Sequence, residues 1–351
     1  MEIRIYNTDF ELLGIIENQT SFIWNRKYNE VGSFTIQCPL MPRNIDLLKQ
    51  GNFVWVQGKP EAGLIEDVTL DQGERTREMK VGGRFLDSYL DRRIIFPEVN
   101  KNDKVELIMR QLFTDAFGTT EGLELGELKG FDETVDMQAG YKSLLETEQD
   151  LAKGANFGFR FIPNFHGAKV TFDIYKGVDR SVNQGDRPRV IFSGDYANLI
   201  TAEYKYNNQL SANVCIVGGE GLSDGDPQKK YVIAGDNSLT GLARREMYIL
   251  GKTRSEGLSI ENYRNKLMEE GNETLQEAQE ADSFTCTINP NGNFKYVTDF
   301  DVGDIVTVIK EEWGINRDYR ITEVSEIYEA QMPKIEVTLG TTLPSKIKWE
   351  V

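Results

Sequence analysis

One segment of this sequence occurs twice, close to the two ends of the 351-residue chain. Residues 51–83 align with residues 303–340, and the connection between the first two matching stretches differs by four residues. The stretch GNFVWV matches GDIVTV, and IEDVT matches ITEVS. In each copy another valine lies thirteen residues after the valine of the latter stretch, and a glycine follows it. Chance similarity between two β-hairpins is one explanation. The other, which we adopt, is a single strand-turn-strand unit used twice, and it restricts the chain to folds with two related β domains.

Three acids surround one glycine where the second copy begins, in DFDVGDIVTV at residues 299–308. Such a cluster predicts either a metal-binding loop or the turn before a strand. Asp304 takes the position of Asn52 in the other copy, and both residue types favour turns because their side chains hydrogen-bond the local backbone. An EF-hand needs an acid at its twelfth position, where this chain has Lys310. The stretch is therefore interpreted as the entry to a strand, and no metal site is predicted.

Two glycines, Gly51 and Gly303, share one position of the repeat. We expect both to adopt a backbone conformation that side chains disfavour. Replacing either glycine should then destabilise the fold by a similar amount. Because Asn52 already stands at the corresponding position, the repeat also predicts that Asp304→Asn leaves folding unchanged.

Apolar residues that alternate at period two predict a mainly β fold with an α+β insertion. Residues 1–96 are expected to form the first β-barrel domain, and residues 97–187 a small α+β domain of two helices and a hairpin. Residues 188–351 return to strands and are expected to form the second β-barrel domain, which also contains a long helix near 259–281. The glycine-rich segment at 218–228, which begins GGEGLSDGDP, lacks the ending of a phosphate-binding loop. It is interpreted as an exposed turn.

Charge and cysteine content exclude several classes of function. The formal net charge is −16, from 56 acids and 40 bases, and an acidic surface repels the phosphate backbone of nucleic acids. The three cysteines are far apart, and His166 is the only histidine, so a typical zinc site is not expected. No cofactor is predicted. No apolar run is long enough to cross a bilayer, so a stable membrane association is not expected.

Enzymatic activity is the first alternative to a structural role, and a glycoside hydrolase acting on the cell wall is its most specific form. Candidate carboxylate pairs, such as Glu66 with Asp67, are adjacent on a strand and point to opposite faces. No catalytic residue is therefore predicted. The second alternative is a carbohydrate- or receptor-binding module. Trp24, Trp55 and Trp313 are the aromatic candidates for it, but each lies beside a strand pattern that core packing explains.

Two stretches of the chain resemble a known family. FIWNRKYNEVGSFTIQCP at 22–39 is similar to the N-terminal signature of the siphovirus tail-tip hub proteins called Gp37-like, and the stretch from DFDVGDIVTV to the end of the repeat is similar to their closing barrel. This family is similar in turn to the baseplate hub of contractile tails and to the N-terminal part of the type VI secretion spike. The resemblance implies structural roles for the residues that match its motifs: Trp24, Gly32, Phe34, Gly303 and Asp304, to which the repeat adds Gly51.

The resemblance also implies an assembly. Members are expected to be homotrimers in which two barrels per chain form a ring of pseudo-sixfold symmetry at the virion tail tip, assembled in the bacterial host cytoplasm. Such a hub would join the sixfold tail tube to threefold tip components. The expected partners are the distal tail or tail-tube ring protein and a tip fibre or spike, with the tape measure protein as a further candidate. DNA would only pass through the lumen.

Overall fold

The computed structural model describes residues 1–73, 77–118, 120–209, 211–219, 231–255, 257–278, 281–329 and 333–340. These residues form two compact units. Unit 1 comprises Met1–Glu203 and Phe284–Gly340, and unit 2 lies within Tyr204–Ser283. The three domains expected from the sequence stay a prediction. Most of the predicted turn at 218–228 lies outside the described residues.

The structure is mainly β, as predicted. In chain order the strands are β1 (Ile3–Tyr6), β2 (Leu12–Ile16), β3 (Ser21–Lys27), β4 (Ser33–Pro39), β5 (Phe53–Val56), β6 (Gly63–Leu64), β7 (Asp67–Gln72), β8 (Arg77–Arg84), β9 (Val99–Lys104), β10 (Leu123–Leu125), β11 (Thr134–Ala139), β12 (Gly158–Asn164), β13 (Lys169–Tyr175), β14 (Ile191–Ser193), β15 (Leu199–Asn207), β16 (Val214–Gly218), β17 (Tyr231–Gly235), β18 (Glu246–Leu250), β19 (Ala281–Ile288), β20 (Ile305–Lys310), β21 (Ile315–Glu329) and β22 (Lys334–Gly340). The α-helices are α1 (Pro42–Leu47), α2 (Val105–Phe117), α3 (Leu144–Ala155) and α4 (Ile260–Glu277). Short 3₁₀ turns lie at Leu86–Arg92, Gly241–Ala243 and Glu311–Trp313.

The largest sheet contains ten strands, and its order shows the repeat. Along its main path the strands run β15-β19-β22-β21-β3-β4-β8-β7, with β20 and β14 attached beside β21. The first four and the last four strands have matching positions in the two halves, so β15-β19-β22-β21 corresponds to β3-β4-β8-β7. The halves meet where β21 pairs with β3 in antiparallel register.

Backbone hydrogen bonds confirm the correspondence between the two copies. The amide of Gly51 donates to the carbonyl of Ile65 at 2.9 Å, and the amide of Gly303 donates to that of Ile321 at 2.8 Å. In return Ile65 and Ile321 donate to the carbonyls of the residues that follow the two glycines. Further along, Val68 lies opposite Val81 and Val324 lies opposite Val337. The turn and the hairpin register are thus the same in both copies.

A second match between the copies lies outside the two aligned segments. The middle strands β4 and β19 carry the same three residues, Ser33-Phe34-Thr35 and Ser283-Phe284-Thr285. Phe34 and Phe284 are both buried, as expected for the inward row of a strand with one covered face.

The core of the first copy lies between two sheets. On β3 and β4 alternate residues point inward, and they pack against the four-stranded sheet β2-β1-β5-β6. Trp24, Phe34 and Val54 are among the fully or almost fully buried members of this core. Within the described residues no sheet closes on itself. The two predicted β-barrels therefore stay a prediction.

The α+β part predicted for 97–187 contains the two helices and the hairpin. Helices α2 and α3 lie with the antiparallel pair β12·β13, and β10 adds to β13 in parallel. Its core is aromatic: the ring of Phe113 stacks on Phe172 at 4.8 Å and meets Phe161 edge-on at 6.0 Å.

Unit 2 is a three-stranded sheet with one helix. The strand order is β17-β16-β18, and α4 packs on one face through Tyr263 and Leu267. The side chain of Ser259 caps α4 by accepting a hydrogen bond from the amide of Asn262, so the predicted long helix is confirmed with an earlier end. Among the described residues, no helix combines the length and apolar character needed to span a bilayer.

Candidate functional site at the junction of the repeats

The N-terminal motif residues lie together in the core of the first copy. Trp24 is fully buried, and its ring centroid lies 4.4 Å from that of Phe85. A Cβ atom on Gly32 would lie 2.5 Å from the Phe85 ring and 2.5 Å from the carbonyl of Asn25. Gly32 therefore leaves the space that the Phe85 ring fills beside Trp24, and these contacts are packing contacts.

Phe34, the third motif residue, depends on a small neighbour that was not predicted from the sequence. A Cβ atom on Gly63 would lie 2.2 Å from the Phe34 ring. Gly63 belongs to the two-residue strand β6. The only signal in the sequence was a glycine within an otherwise apolar stretch, which indicates a close approach of another group.

The next residue along the inward row of β3 is charged. Arg26 is 2% exposed, and its guanidinium hydrogen-bonds Glu61 at 2.9 Å, the Tyr296 hydroxyl at 2.7 Å and Asp301. We call Arg26, Glu61, Tyr296 and Asp301 the Arg26 cluster. Burial alone would lower the pKa of Arg26, but the charge of Glu61 and the neighbouring Tyr296 and Asp301 hold it well above its usual range. The arginine therefore stays charged inside the protein.

The Arg26 cluster connects the two copies of the repeat. Arg26 and Glu61 come from the first copy, whereas Tyr296 and Asp301 precede β20 of the second copy. Burying a charge is costly unless it is paired, and removing one member of a buried pair leaves the other charge uncompensated. The cluster thus favours one specific arrangement of the two copies.

A second ion pair joins the same two copies. Lys59, which follows β5, pairs with Glu326 on β21. The hydroxyl of Tyr328 donates to Glu326 at 2.7 Å, and the Lys59 ammonium lies 5.7 Å from the centre of the Tyr296 ring. The side chains of Lys59 and Glu326 are only 14% and 6% exposed, so solvent screens this pair less than a surface pair.

Asp304 is a structural acid of the second copy. It is 4% exposed, and its carboxylate accepts hydrogen bonds from the amide of Val178 at 2.8 Å, from Arg180 Nε at 2.8 Å and from the amide of Asp301 at 3.0 Å. Its oxygens therefore bind the segment that leaves β13. Among the described residues no group of three potential metal-ligating side chains comes together. Asp304 stands directly before β20, which begins at Ile305, so the stretch is the entry to a strand, as interpreted from the sequence.

The side chains of Asp304 and Asn52 differ in what they contact, which corrects the expectation that asparagine would serve equally well. Asn52 donates from Nδ2 to the carbonyl of Leu47 at 2.8 Å. Asp304 instead accepts from three donors, one of which is the cation of Arg180. The two copies share the backbone turn, but the side chain after the glycine hydrogen-bonds different groups in each copy.

The two repeat glycines also differ. Both have positive φ, +91° at Gly51 and +95° at Gly303, so the predicted shared conformation is confirmed. A Cβ atom on Gly51 would have nothing within 4 Å, whereas one on Gly303 would lie 2.3 Å from the ring of Tyr28. Tyr28 donates to the carbonyl of Asn156 at 2.7 Å and accepts from the amide of Gly177 at 3.0 Å. The second glycine is therefore the more constrained one.

The residues that the sequence offered for an enzyme or a binding module mostly make structural contacts. Glu66 forms two hydrogen bonds of 2.9 Å to the guanidinium of Arg84, and this contact lowers the pKa of Glu66. A general acid of a glycoside hydrolase needs the opposite shift. Trp24 is buried and Trp55 half-buried, with its indole N–H donating to the carbonyl of Lys59 at 3.0 Å. Trp313 remains 46% exposed.

The profile of the Siphovirus ReqiPepy6 Gp37-like protein family matches residues 2–341. The chain belongs to this family. The match covers both copies of the repeat and the α+β part between them, as the two sequence signatures predicted. Among curated proteins no relative matches.

Solved structures share the fold of this family member at low sequence identity. The 43 kDa tail protein of prophage MuSo2 from Shewanella oneidensis has a TM-score of 0.61 and 14% identity, over 97% of this chain and 98% of that one. The tail protein from Neisseria meningitidis MC58 has a TM-score of 0.58 and 13% identity, over 97% and 96%. A chain of the half-lidded Francisella PdpA–VgrG complex has a TM-score of 0.54 and 10% identity, over 100% of this chain and 60% of that one. The family and the fold together support a structural role in a phage tail.

The two glycines should respond unequally to alanine. Gly51→Ala should cost about 1 kcal/mol, because only the backbone conformation opposes it. Gly303→Ala should cost on the order of 3 kcal/mol, because the ring of Tyr28 must also move. Urea melts of the two variants, at one protein concentration, measure both values. Equal losses of unfolding free energy would show that the contact with Tyr28 adds nothing to the cost of replacing Gly303.

Asp304→Asn should destabilise the protein by about 2 kcal/mol, because the amide loses the ion pair with Arg180 and leaves a buried donor without an acceptor. The matched control is Asp299→Asn, since an amide oxygen can still accept the hydrogen bond from the amide of Lys295. Urea melts compare the two. An Asp304→Asn variant as stable as the control would show that asparagine serves equally well at position 304, as the repeat predicts.

Proposed function

We propose that this protein is the structural hub of a phage or prophage tail tip. In this proposal it is a homotrimer with a pseudo-sixfold ring that joins the sixfold tail tube to threefold tip components and lets DNA pass. The observation that carries the proposal is the long sheet, in which two four-stranded halves repeat the same strand order within one chain.

The repeat would let a threefold assembly match a sixfold tail tube. Closed homo-oligomers present one copy of each surface per chain, so a trimer of a chain with one tube-binding unit would offer three such surfaces. A trimer of a chain with two related units offers six. The matching turns at Gly51 and Gly303, with the same backbone hydrogen bonds, support the use of both units in one ring.

The uncovered face of the long sheet is suited to a lumen. Across β22, β21, β3, β4, β8 and β7 the residues opposite the core are half-buried or exposed and largely polar. Its acids are Asp67, Asp71, Glu78, Glu323, Glu329 and Glu336, and its bases are Lys27, Lys80, Arg84 and Lys334. An excess of acids on this face, in a chain of net charge −16, disfavours attachment of phosphates. DNA would pass such a wall without binding to it.

The proposal defines the partners by symmetry. The distal tail or tail-tube ring protein would contact the six similar units, and a tip fibre or spike would contact the threefold side, with the tape measure protein as a further candidate. The motif residues Trp24, Gly32, Phe34, Gly51, Gly303 and Asp304 would act by holding the two units in shape. The role requires no catalysis and no cofactor, and it places the protein at the virion tail tip.

Light scattering of the purified protein should give about 120 kDa, three times the 39.9 kDa of one chain. The reason is that two-unit chains complete a six-unit ring only as a trimer. The measurement needs a dilution series down to the micromolar range. A monomer that persists at tens of micromolar, alone and with the upstream ring protein, would contradict the proposed hub.

A further inference from the structure

We propose that three exposed side chains, Ile94, Phe96 and Tyr141, form the surface on which the threefold tip protein docks. We call these residues the Phe96 patch. The contact surface of the partner would present apolar side chains with carboxylates beside them. The inference rests on the proposed function and adds to it a docking surface and the chemistry of the partner.

The Phe96 patch is the outer face of a short two-stranded ladder. Segment 93–96 runs antiparallel to segment 141–144, and backbone hydrogen bonds join the two. Successive side chains of an extended segment point to opposite faces. Ile95 points inward and packs in the core of the α+β part. The outward side chains are 59%, 73% and 70% exposed, in the order Ile94, Phe96 and Tyr141.

The two rings of the patch form one continuous apolar surface. The ring centroids of Phe96 and Tyr141 lie 5.7 Å apart, and the ring planes meet at 65°. Rings that are already held against each other lose little freedom when a partner binds them. Exposed apolar patches with a polar rim mark interaction sites, and tyrosine is enriched among the residues that dominate binding energy. The geometry is that of a preformed contact.

The backbone at Tyr141 is strained. Its φ is +58°, a left-handed conformation that is rare for a bulky residue. Asn156, which ends α3 with a φ of +56°, is a residue type that tolerates this region. The exposed ring of Tyr141 recovers little of the cost by burial, and backbone strain concentrates at binding sites. A contact that the ring makes outside the chain accounts for tyrosine at this position.

Two arginines directly precede the patch. Arg92 and Arg93 are exposed, and their guanidinium carbons lie 4.2 and 4.8 Å from the centres of aromatic rings. Within the described part of the chain neither arginine forms an ion pair. Arginine is enriched at protein interfaces, where its charge can receive a carboxylate of the partner.

The acids near the patch already have partners. Asp91 pairs with Arg84 at 3.1 Å, and Glu98, two residues after the patch phenylalanine, accepts a hydrogen bond from Gln138. The two arginines are therefore available cations in a chain of net charge −16. Complementary charge favours a partner that places carboxylates beside its apolar contact.

Symmetry indicates which tail protein this partner is. The α+β part that carries the patch occurs once among the described residues, whereas the four-stranded half of the long sheet occurs twice. A homotrimer would therefore present three patches and six sheet halves. A threefold partner can bind all three patches at once, and such simultaneous binding raises affinity without any new contact. The patch thus fits the tip fibre or spike and not the sixfold tube ring.

The test measures binding of the full chain to two purified probes, the tip fibre or spike protein and the distal ring protein of the same tail. Phe96→Ser with Tyr141→Asn should weaken binding to the tip protein at least tenfold and leave binding to the ring protein unchanged. The matched control is Tyr196→Asn, because Tyr196 is also exposed, at 52%, and lies outside the patch. This control should bind both probes as the wild type does.

The charge contribution has its own variant. Arg92→Gln with Arg93→Gln should weaken binding to the tip protein at low salt. Wild-type binding should fall as salt rises, because salt screens exposed charges, whereas binding of this variant should change little. Equal affinity and equal salt dependence in the variant and the wild type would overturn the proposed chemistry of the partner.

A stability measurement separates a binding role of Tyr141 from a structural one. Tyr141→Asn alone should raise the midpoint of urea unfolding, because asparagine tolerates the left-handed backbone, and should still weaken binding to the tip protein. Tyr196→Asn should leave the midpoint unchanged. A lower midpoint for Tyr141→Asn would show that the ring serves the fold, and would overturn the inference.

The outcomes also separate this inference from the proposed function. If the wild-type trimer binds the tip protein and the patch variant binds it equally well, the inference fails while the hub stands. Three other results would assign the patch elsewhere and overturn the inference: loss of ring binding alone, dissociation of the variant trimer in light scattering, or loss of binding to purified cell-wall polysaccharide with tip binding kept. A wild-type chain that binds neither tail protein would overturn the proposed function itself.

Discussion

The antiparallel pairing of β3 with β21 is the contact on which the rest of the architecture depends. It brings together residues as far apart in sequence as Asn25 and Ser325, which are 300 positions apart and hydrogen-bonded through their side chains. Closing so long a loop costs conformational entropy. The junction offsets that cost with backbone hydrogen bonds, with the core row around Trp24 and with the ion pairs of Arg26 and Lys59. Without this junction the two copies would be separate small sheets, each with additional open edges.

Charge at the junction determines its geometry more than its stability. Apolar side chains could pack β3 against the second copy in several ways, because the hydrophobic effect has no direction. A buried guanidinium is different, since it needs acceptors in fixed positions. Glu61 and Asp301 provide them from opposite copies. The Asp304 carboxylate fixes the segment at Val178 and Arg180 in the same manner, so the chain leaves the α+β part at a defined place.

Local pattern predicted much of this fold and little of its long-range pairing. The shared turn at Gly51 and Gly303 was visible because a repeated glycine carries information about φ, and the strands were visible from alternation. The sequence analysis missed Arg26: the alternation on β3 places it in the row of Phe22 and Trp24, but nothing in the local pattern shows which acids its guanidinium contacts. Nothing local distinguishes β3 pairing with β21 from any other antiparallel pair. The different surroundings of Gly51 and Gly303 could not be foreseen either, because Tyr28 lies outside the repeat.

The central claim is that the two halves of one chain act as equivalent units of a ring. End-on electron microscopy of the isolated particle tests it most directly, through the rotational symmetry of the averaged images. The account predicts threefold averages with six similar densities around a central opening. A ring that shows three densities only, or particles without rotational symmetry, would contradict it.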